Sequence, residues 1–186
     1  MSNVISNSAS ELVKAMKIED DAKREELTKS ITNHSLNAAG LGLIPIPLAD
    51  VAALTVNVWH MYIKINKILG ISFKDNVLKS IASAALANLS TNLLASGLAS
   101  MLKFFPGGAI ASGLVVAGTN YAICSSSAWI YLEILTTVAK KNNGSLNLDD
   151  IPEREIKRMV KDNKGRQQDI AKEAKTTYTQ EHKDDK

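Results

Sequence analysis

The chain has no charged residue from position 80 to 102 and none from 109 to 132. Between these stretches lie Lys103 and then Phe104-Phe105-Pro106-Gly107-Gly108. A helix of roughly 20 residues extends about 30 Å, the thickness of a bilayer's hydrocarbon core. Proline and glycine together stop a helix and turn the chain. The pattern predicts two apolar helices folded back on one another, a hairpin over residues 77–139. Such a hairpin must leave water, either for lipid or for the centre of a protein core. It is richer in Ala, Ser and Gly than in Leu, so its backbones can approach closely. Asn88, Asn92, Thr119 and Asn120 offer side chains for bonds between helices or, in an oligomer, for a polar path.

Charge crowds into the two ends. Residues 1–38 carry five Lys/Arg against six Asp/Glu, residues 149–186 carry ten against ten, and residues 39–148 carry seven against three. The expected organisation is a charged helical arm over 1–38, a hydrophobic helical domain over 39–141, and an amphipathic helix with a polar tail over 142–186. A net charge of +3 gives no footprint for nucleic acid. The single cysteine, Cys124, suits a reducing compartment. The polar N-terminus predicts no cleavable signal peptide.

The expected fold class is all-α, with amphipathic helices flanking the central hairpin. Ser8 and Glu11 form a capping box that predicts a helix start, running to about residue 36. Leu12, Met16, Leu27 and Ile31 give it a thin apolar face, as in an arm or a covering helix. Gly40, Gly42, Pro45 and Pro47 break the chain. Pro47 suits a first helical position, and Asp50 in the first turn complements the helix dipole. The next helix carries Val51, Leu54, Val58, Met61, Tyr62, Ile65, Ile68 and Leu69 on one face and ends at Gly70. Asn142-Asn143-Gly144 stops the second apolar helix. Beyond Pro152, Ile156, Met159 and Val160 define a last amphipathic helix. From Gly165 onward the composition predicts a frayed polar tail.

Seven residues beyond the helices' own stripes form a structural signature: Gly42, Pro45, Pro47, Asp50, Pro106, Gly107 and Gly108. Lys64, Lys67, Lys74 and Lys79 precede the hairpin, and Lys140 and Lys141 follow it. These are the candidate contacts to anionic lipid headgroups. Their placement predicts both termini in the cytoplasm and the Pro-Gly-Gly tip across the membrane. Tyr121, Trp129 and Tyr131 are candidate interfacial anchors. No catalytic, cofactor or metal site is expected. Neither an acid–base pair nor a nucleophile with its base is visible. His60, with Asn57 and Lys64, reads as a solvated face, because His34 and His182 lie at no ligand spacing from it. Cys124 reads as a small packed residue. Asp50 serves the helix start or meets a partner or cation.

The run Gly42-Leu43-Ile44-Pro45-Ile46-Pro47-Leu48-Ala49-Asp50, followed by an amphipathic helix and two small-residue helices around a Phe-Pro-Gly-Gly turn, resembles a bacterial domain of unknown function. That domain follows the GTPase module in some Era-like GTPases and also occurs in YcjF-type membrane proteins. The likeness covers residues 38–140. It implies a helical membrane domain of the bacterial inner membrane that works with a GTPase. No phosphate-binding loop of the Gly-x-x-x-x-Gly-Lys-Ser/Thr kind is present, so a GTPase would have to come from another chain.

Three readings follow. The first is a non-enzymatic membrane anchor or adaptor, with the bilayer and a GTPase in trans as partners. The second is a soluble helical protein that inserts into membranes on cue, like a pore-forming toxin. The third is a cytoplasmic interaction module that never meets lipid. All three are compatible with an oligomer.

Overall fold

The computed structural model describes residues 2–41, 49–71, 81, 82, 84, 85, 88, 109–147 and 151–183. They form α1 (Ser2–Ala15), α2 (Asp21–Leu41), α3 (Ala49–Leu69), α4 (Ala109–Lys141), α5 (Glu153–Asp162) and α6 (Lys164–Glu181). Residues 81, 82, 84, 85 and 88 are also helical. No strand occurs among the described residues, and the fold is all-α.

The N-terminal region is two helices rather than the one expected. α1 starts before the predicted cap, because Ile5 belongs with Ala9, Leu12 and Val13 on one buried stripe. Burying Ile5 draws the first turn into the helix, and Ser8 and Glu11 lie inside it. The break falls at Lys17, which adopts a φ of 58°. The Lys17 N–H donates to the Lys14 carbonyl at 3.0 Å and the Ile18 N–H to the Val13 carbonyl at 3.0 Å. This is a Schellman ending built on a residue with a side chain. Asp20 then caps α2, its Oδ1 accepting the Ala22 N–H at 2.9 Å.

α3 matches its sequence reading from Leu54 onward, while Pro47 and the Val51 side chain lie outside the described residues. Leu54, Val58, Met61, Tyr62, Ile65, Ile68 and Leu69 are buried. Gly70, at φ +69°, ends the helix. Its N–H reaches the Lys67 carbonyl at 3.3 Å, and the Ile71 N–H reaches that of Asn66 at 3.0 Å. α4 ends as predicted, with Asn143 at φ 53° and Gly144 at φ 100°. In α5, Ile156, Met159 and Val160 are buried as expected.

The expected frayed tail is instead an 18-residue helix, α6, with Gln167, Ile170, Ala171 and Ala174 buried. These positions recur at i, i+3, i+4 and i+7, a helical stripe too narrow and too small to outweigh the surrounding polar residues in composition. A partner rich in small residues is what makes so slight a stripe enough.

α4 lies at the centre. Its segment Gly113–Lys141 is long and apolar enough to cross a membrane, and 89% of its most apolar window is buried. α1, α2, α3 and α6 all pack on it. The side-chain contacts fix their directions. Asn57 and Met61 of α3 meet Cys124, and Asn66 meets Tyr131, so α3 runs parallel to α4. His34 meets Asn57 and Glu26 meets Lys64, so α2 runs antiparallel to α3. Arg166 meets Trp129 and Tyr178 meets Tyr121, so α6 runs antiparallel to α4.

The grips differ in kind. α3 buries large side chains, each stabilising by about 1.5–3 kcal/mol. α6 packs on α4 over a longer contact, through Ile170, Ala171 and Ala174, the Tyr178 ring and Arg166 over the Trp129 ring.

Candidate functional site

The feature that stands out is α4 itself and the way its polar groups are handled. Three of its hydroxyls bond back to their own helix. The Thr119 Oγ1 donates to the Val115 carbonyl at 2.7 Å, the Ser125 Oγ to that of Tyr121 at 2.7 Å, and the Ser126 Oγ to that of Ala122 at 2.7 Å. These bonds need no neighbour, so they travel with the helix into any low-dielectric surrounding.

Other bonds tie α4 to its sheath. The Tyr62 hydroxyl donates to the Ser127 carbonyl at 2.9 Å, and the Tyr131 hydroxyl donates to Asn66 Oδ1. The two tyrosine rings stack with centroids 4.2 Å apart. Burial pushes the Tyr62 phenol far above its ordinary range, so it remains a hydrogen-bond donor. Among the described residues, Asn120 Nδ2 and Ser127 Oγ of α4 are buried with no hydrogen-bond partner. Each such group weakens the sheathed state by about 1–3 kcal/mol.

Cys124 is buried and free. Its sulfur accepts from Asn57 Nδ2 at 3.4 Å and lies 3.7 Å from Met61 Sδ. Asn57 also donates to the His34 carbonyl at 2.9 Å, and its Oδ1 lies 3.1 Å from His34 Nδ1. An amide therefore stands between thiol and imidazole. Asn57 has no proton-accepting nitrogen to relay, so the row His34–Asn57–Cys124 holds helices together rather than activating a nucleophile. An open groove between α1 and α2 is lined by Ser6, Arg24, Glu25, Thr28 and Lys29 among others. Its charges are of both signs. Among the described residues no three His, Cys, Asp or Glu side chains gather as a metal site.

The sequence-derived residues distribute as follows. Lys64, Lys67, Lys140 and Lys141 are exposed. With Asn66 opposite Tyr131, Lys64 and Lys67 lie beside the stretch of α4 around Tyr131, whereas Lys140 and Lys141 lie at its C-terminal end. Lys64 pairs with Glu26 at 3.5 Å and Lys141 with Glu155 at 2.7 Å. Asp50 occupies the second position of α3. Gly42, Pro45, Pro47, Lys74, Lys79, Asn92, Pro106, Gly107 and Gly108 lie outside the described residues.

Two of the expected interfacial anchors are core residues instead. Trp129 and Tyr131 are almost fully buried, Trp129 beneath the Arg166 guanidinium at 5.3 Å from its ring centroid. Tyr121 is half-buried and stacks on Tyr178 at 4.9 Å. Asn57, read as part of a solvated face, is half-buried between α2 and α4.

Asn88 does bond between helices. Its Nδ2 donates to the Val160 carbonyl and to Gln167 Oε1, each at 3.0 Å. Gln167 and Gln168 complete the contact, with Gln167 Nε2 donating to the Ala85 carbonyl at 3.2 Å and Gln168 Nε2 to that of Asn88 at 3.0 Å. Sequence reasoning missed both glutamines. The small-residue stripe of α6 was the signal that could have found them.

No protein-family model matches this chain, and neither a curated protein nor a solved structure matches it.

Proposed function

We propose that this is a non-enzymatic helical protein that carries a membrane-competent helix sheathed by its own polar helices and delivers it to a bilayer on cue. The observation that carries the reading is the contrast at α4. A helical segment of bilayer-crossing length and apolarity is 89% buried across its most apolar window. Its covers α2 and α6 expose charged residues such as Glu25, Glu26, Lys29, Lys172 and Glu173. Charged covers cannot themselves sit in hydrocarbon. A permanently inserted α4 would have to shed them, so conditional insertion fits this arrangement better than a fixed anchor.

The self-bonded Thr119, Ser125 and Ser126 hydroxyls favour the same reading, because they need no protein partner in lipid. The exposed Lys67 and Lys140 offer attraction to anionic headgroups, as would Lys64 and Lys141 on leaving Glu26 and Glu155. The resemblance adds a partner to the proposal: a GTPase in trans at the cytoplasmic face of a bacterial inner membrane, for which the protein acts as adaptor.

Flotation tests the proposal. The purified protein is mixed with vesicles of phosphatidylethanolamine and phosphatidylglycerol at neutral and acidic pH and spun through a density gradient. The expected result is a detergent-free soluble form that floats with the vesicles under at least one condition. A protein that stays monodisperse in water and never floats is a soluble interaction module.

A further inference from the structure

We infer that α6 is a releasable strap, the element whose detachment unsheathes α4; this rests on the membrane reading above and names its regulation. Its contacts with α4 run from Thr179 beside Gly118, through Tyr178 on Tyr121, to Arg166 over Trp129. Over that span of α4 the strap is a direct cover. Through Gln167 and Gln168 it also grips residues 85 and 88, which belong to the other apolar stretch of the sequence. One helix thus clasps both halves of the charge-free region.

The clasp joins α4 through small and polar groups. Its buried stripe is Gln167, Ile170, Ala171 and Ala174, flanked by the ring contacts of Tyr178 and Arg166. Its specificity lies in the amide bonds of Asn88, Gln167 and Gln168, which water can replace once the contact opens. Its outer face exposes Asp169, Lys172 and Glu173, so a detached α6 is compatible with water. The α4 face it leaves carries Gly118, Tyr121 and Trp129. Gly118 sets the closeness of the contact: a Cβ there would stand 2.9 Å from Thr179 Oγ1.

That closeness supplies the test. Cysteines at the two positions, Gly118→Cys with Thr179→Cys, fall within the ~3.5–4.5 Å Cβ separation that a disulfide spans. The same preparation is compared oxidised and reduced, with circular dichroism confirming the helical fold in both, in flotation with vesicles of phosphatidylethanolamine and phosphatidylglycerol. Expected is at least about a tenfold lower bound fraction when oxidised, restored by thiol reductant. As a second arm, Asn88→Ala with Gln168→Ala loosens the clasp without a cross-link, and bound fraction should rise above that of the unaltered protein. Equal binding of oxidised and reduced forms overturns the strap while leaving the membrane reading intact. Absence of binding by every form overturns the membrane reading and the strap with it.

Discussion

The Tyr131 hydroxyl donates to the side-chain oxygen of Asn66, joining α4 to α3 inside the core where both residues are buried. The side-chain oxygen of Asn66, withdrawn from water, accepts from this hydroxyl. Tyr131→Phe removes the donor and strands the acceptor. The expected loss is about 1–3 kcal/mol of unfolding free energy, read as a lower urea midpoint at unchanged slope. Tyr62→Phe removes a donor to the Ser127 carbonyl, a main-chain group within α4, and should lose less, about 1 kcal/mol. Equal losses would show that the Asn66 contact carries no special weight.

Two glycines with left-handed backbones separate strain from crowding. Gly70, at φ +69°, has open space where a Cβ would stand, whereas a Cβ on Gly144, at φ +100°, would meet the Met16 carbonyl oxygen at 3.2 Å. Gly70→Ala should therefore lose only the backbone term, about 1–2 kcal/mol. Gly144→Ala should lose more, since it also separates the end of α4 from the end of α1. Thermal unfolding of the two variants checks the order, and a milder effect at Gly144 would contradict the docking of these helix ends.

The pair Lys141–Glu155 joins α4 to α5 at 2.7 Å. The hydrogen bond from Lys141, with its charge, holds the Glu155 carboxyl below the ordinary range. A lowered native value means that the pair stabilises the fold above the unfolded carboxylate value and ceases to do so as pH falls through the native one. A carboxyl titration followed by NMR should place Glu155 below the ordinary ~4.3. Lys141→Gln should raise it toward that value, with Arg158 and Arg154 still holding it down in part. An unshifted Glu155 in the unaltered protein would contradict the contact.

Cys124 should report opening of the sheath. The thiol is fully buried, so an aqueous thiol reagent reaches it only when the surrounding helices part. Labelling should be slow in buffer and should accelerate with denaturant in step with unfolding. Rapid labelling in buffer would mean that α4 is uncovered in the resting protein.

The helices with broad or well-capped stripes were legible in the sequence. α3 declared itself by seven buried apolar positions and a terminal glycine, and α4 by its lack of charge and its Asn-Asn-Gly stop. The break between α1 and α2 was hidden, because Lys17 takes a left-handed conformation that glycine usually marks. α6 was hidden because its stripe of Gln167, Ile170, Ala171 and Ala174 is adhesive only against a partner that the sequence does not align with it. The same ambiguity misplaced Trp129 and Tyr131: an aromatic residue in an apolar helix fits a bilayer interface and a protein core equally well until its neighbours are known.

The surroundings of Trp129 offer the most direct test that α4 exchanges a protein sheath for lipid. Trp59→Phe leaves Trp129 as the sole tryptophan, 1% exposed in the folded chain. In buffer its emission should be blue-shifted and resistant to aqueous quencher. With vesicles whose acyl chains carry bromine, under the conditions that cause flotation, the emission should be quenched. Emission that stays unquenched by brominated chains while the protein floats would mean that α4 remains inside the protein, and would contradict its delivery to the bilayer.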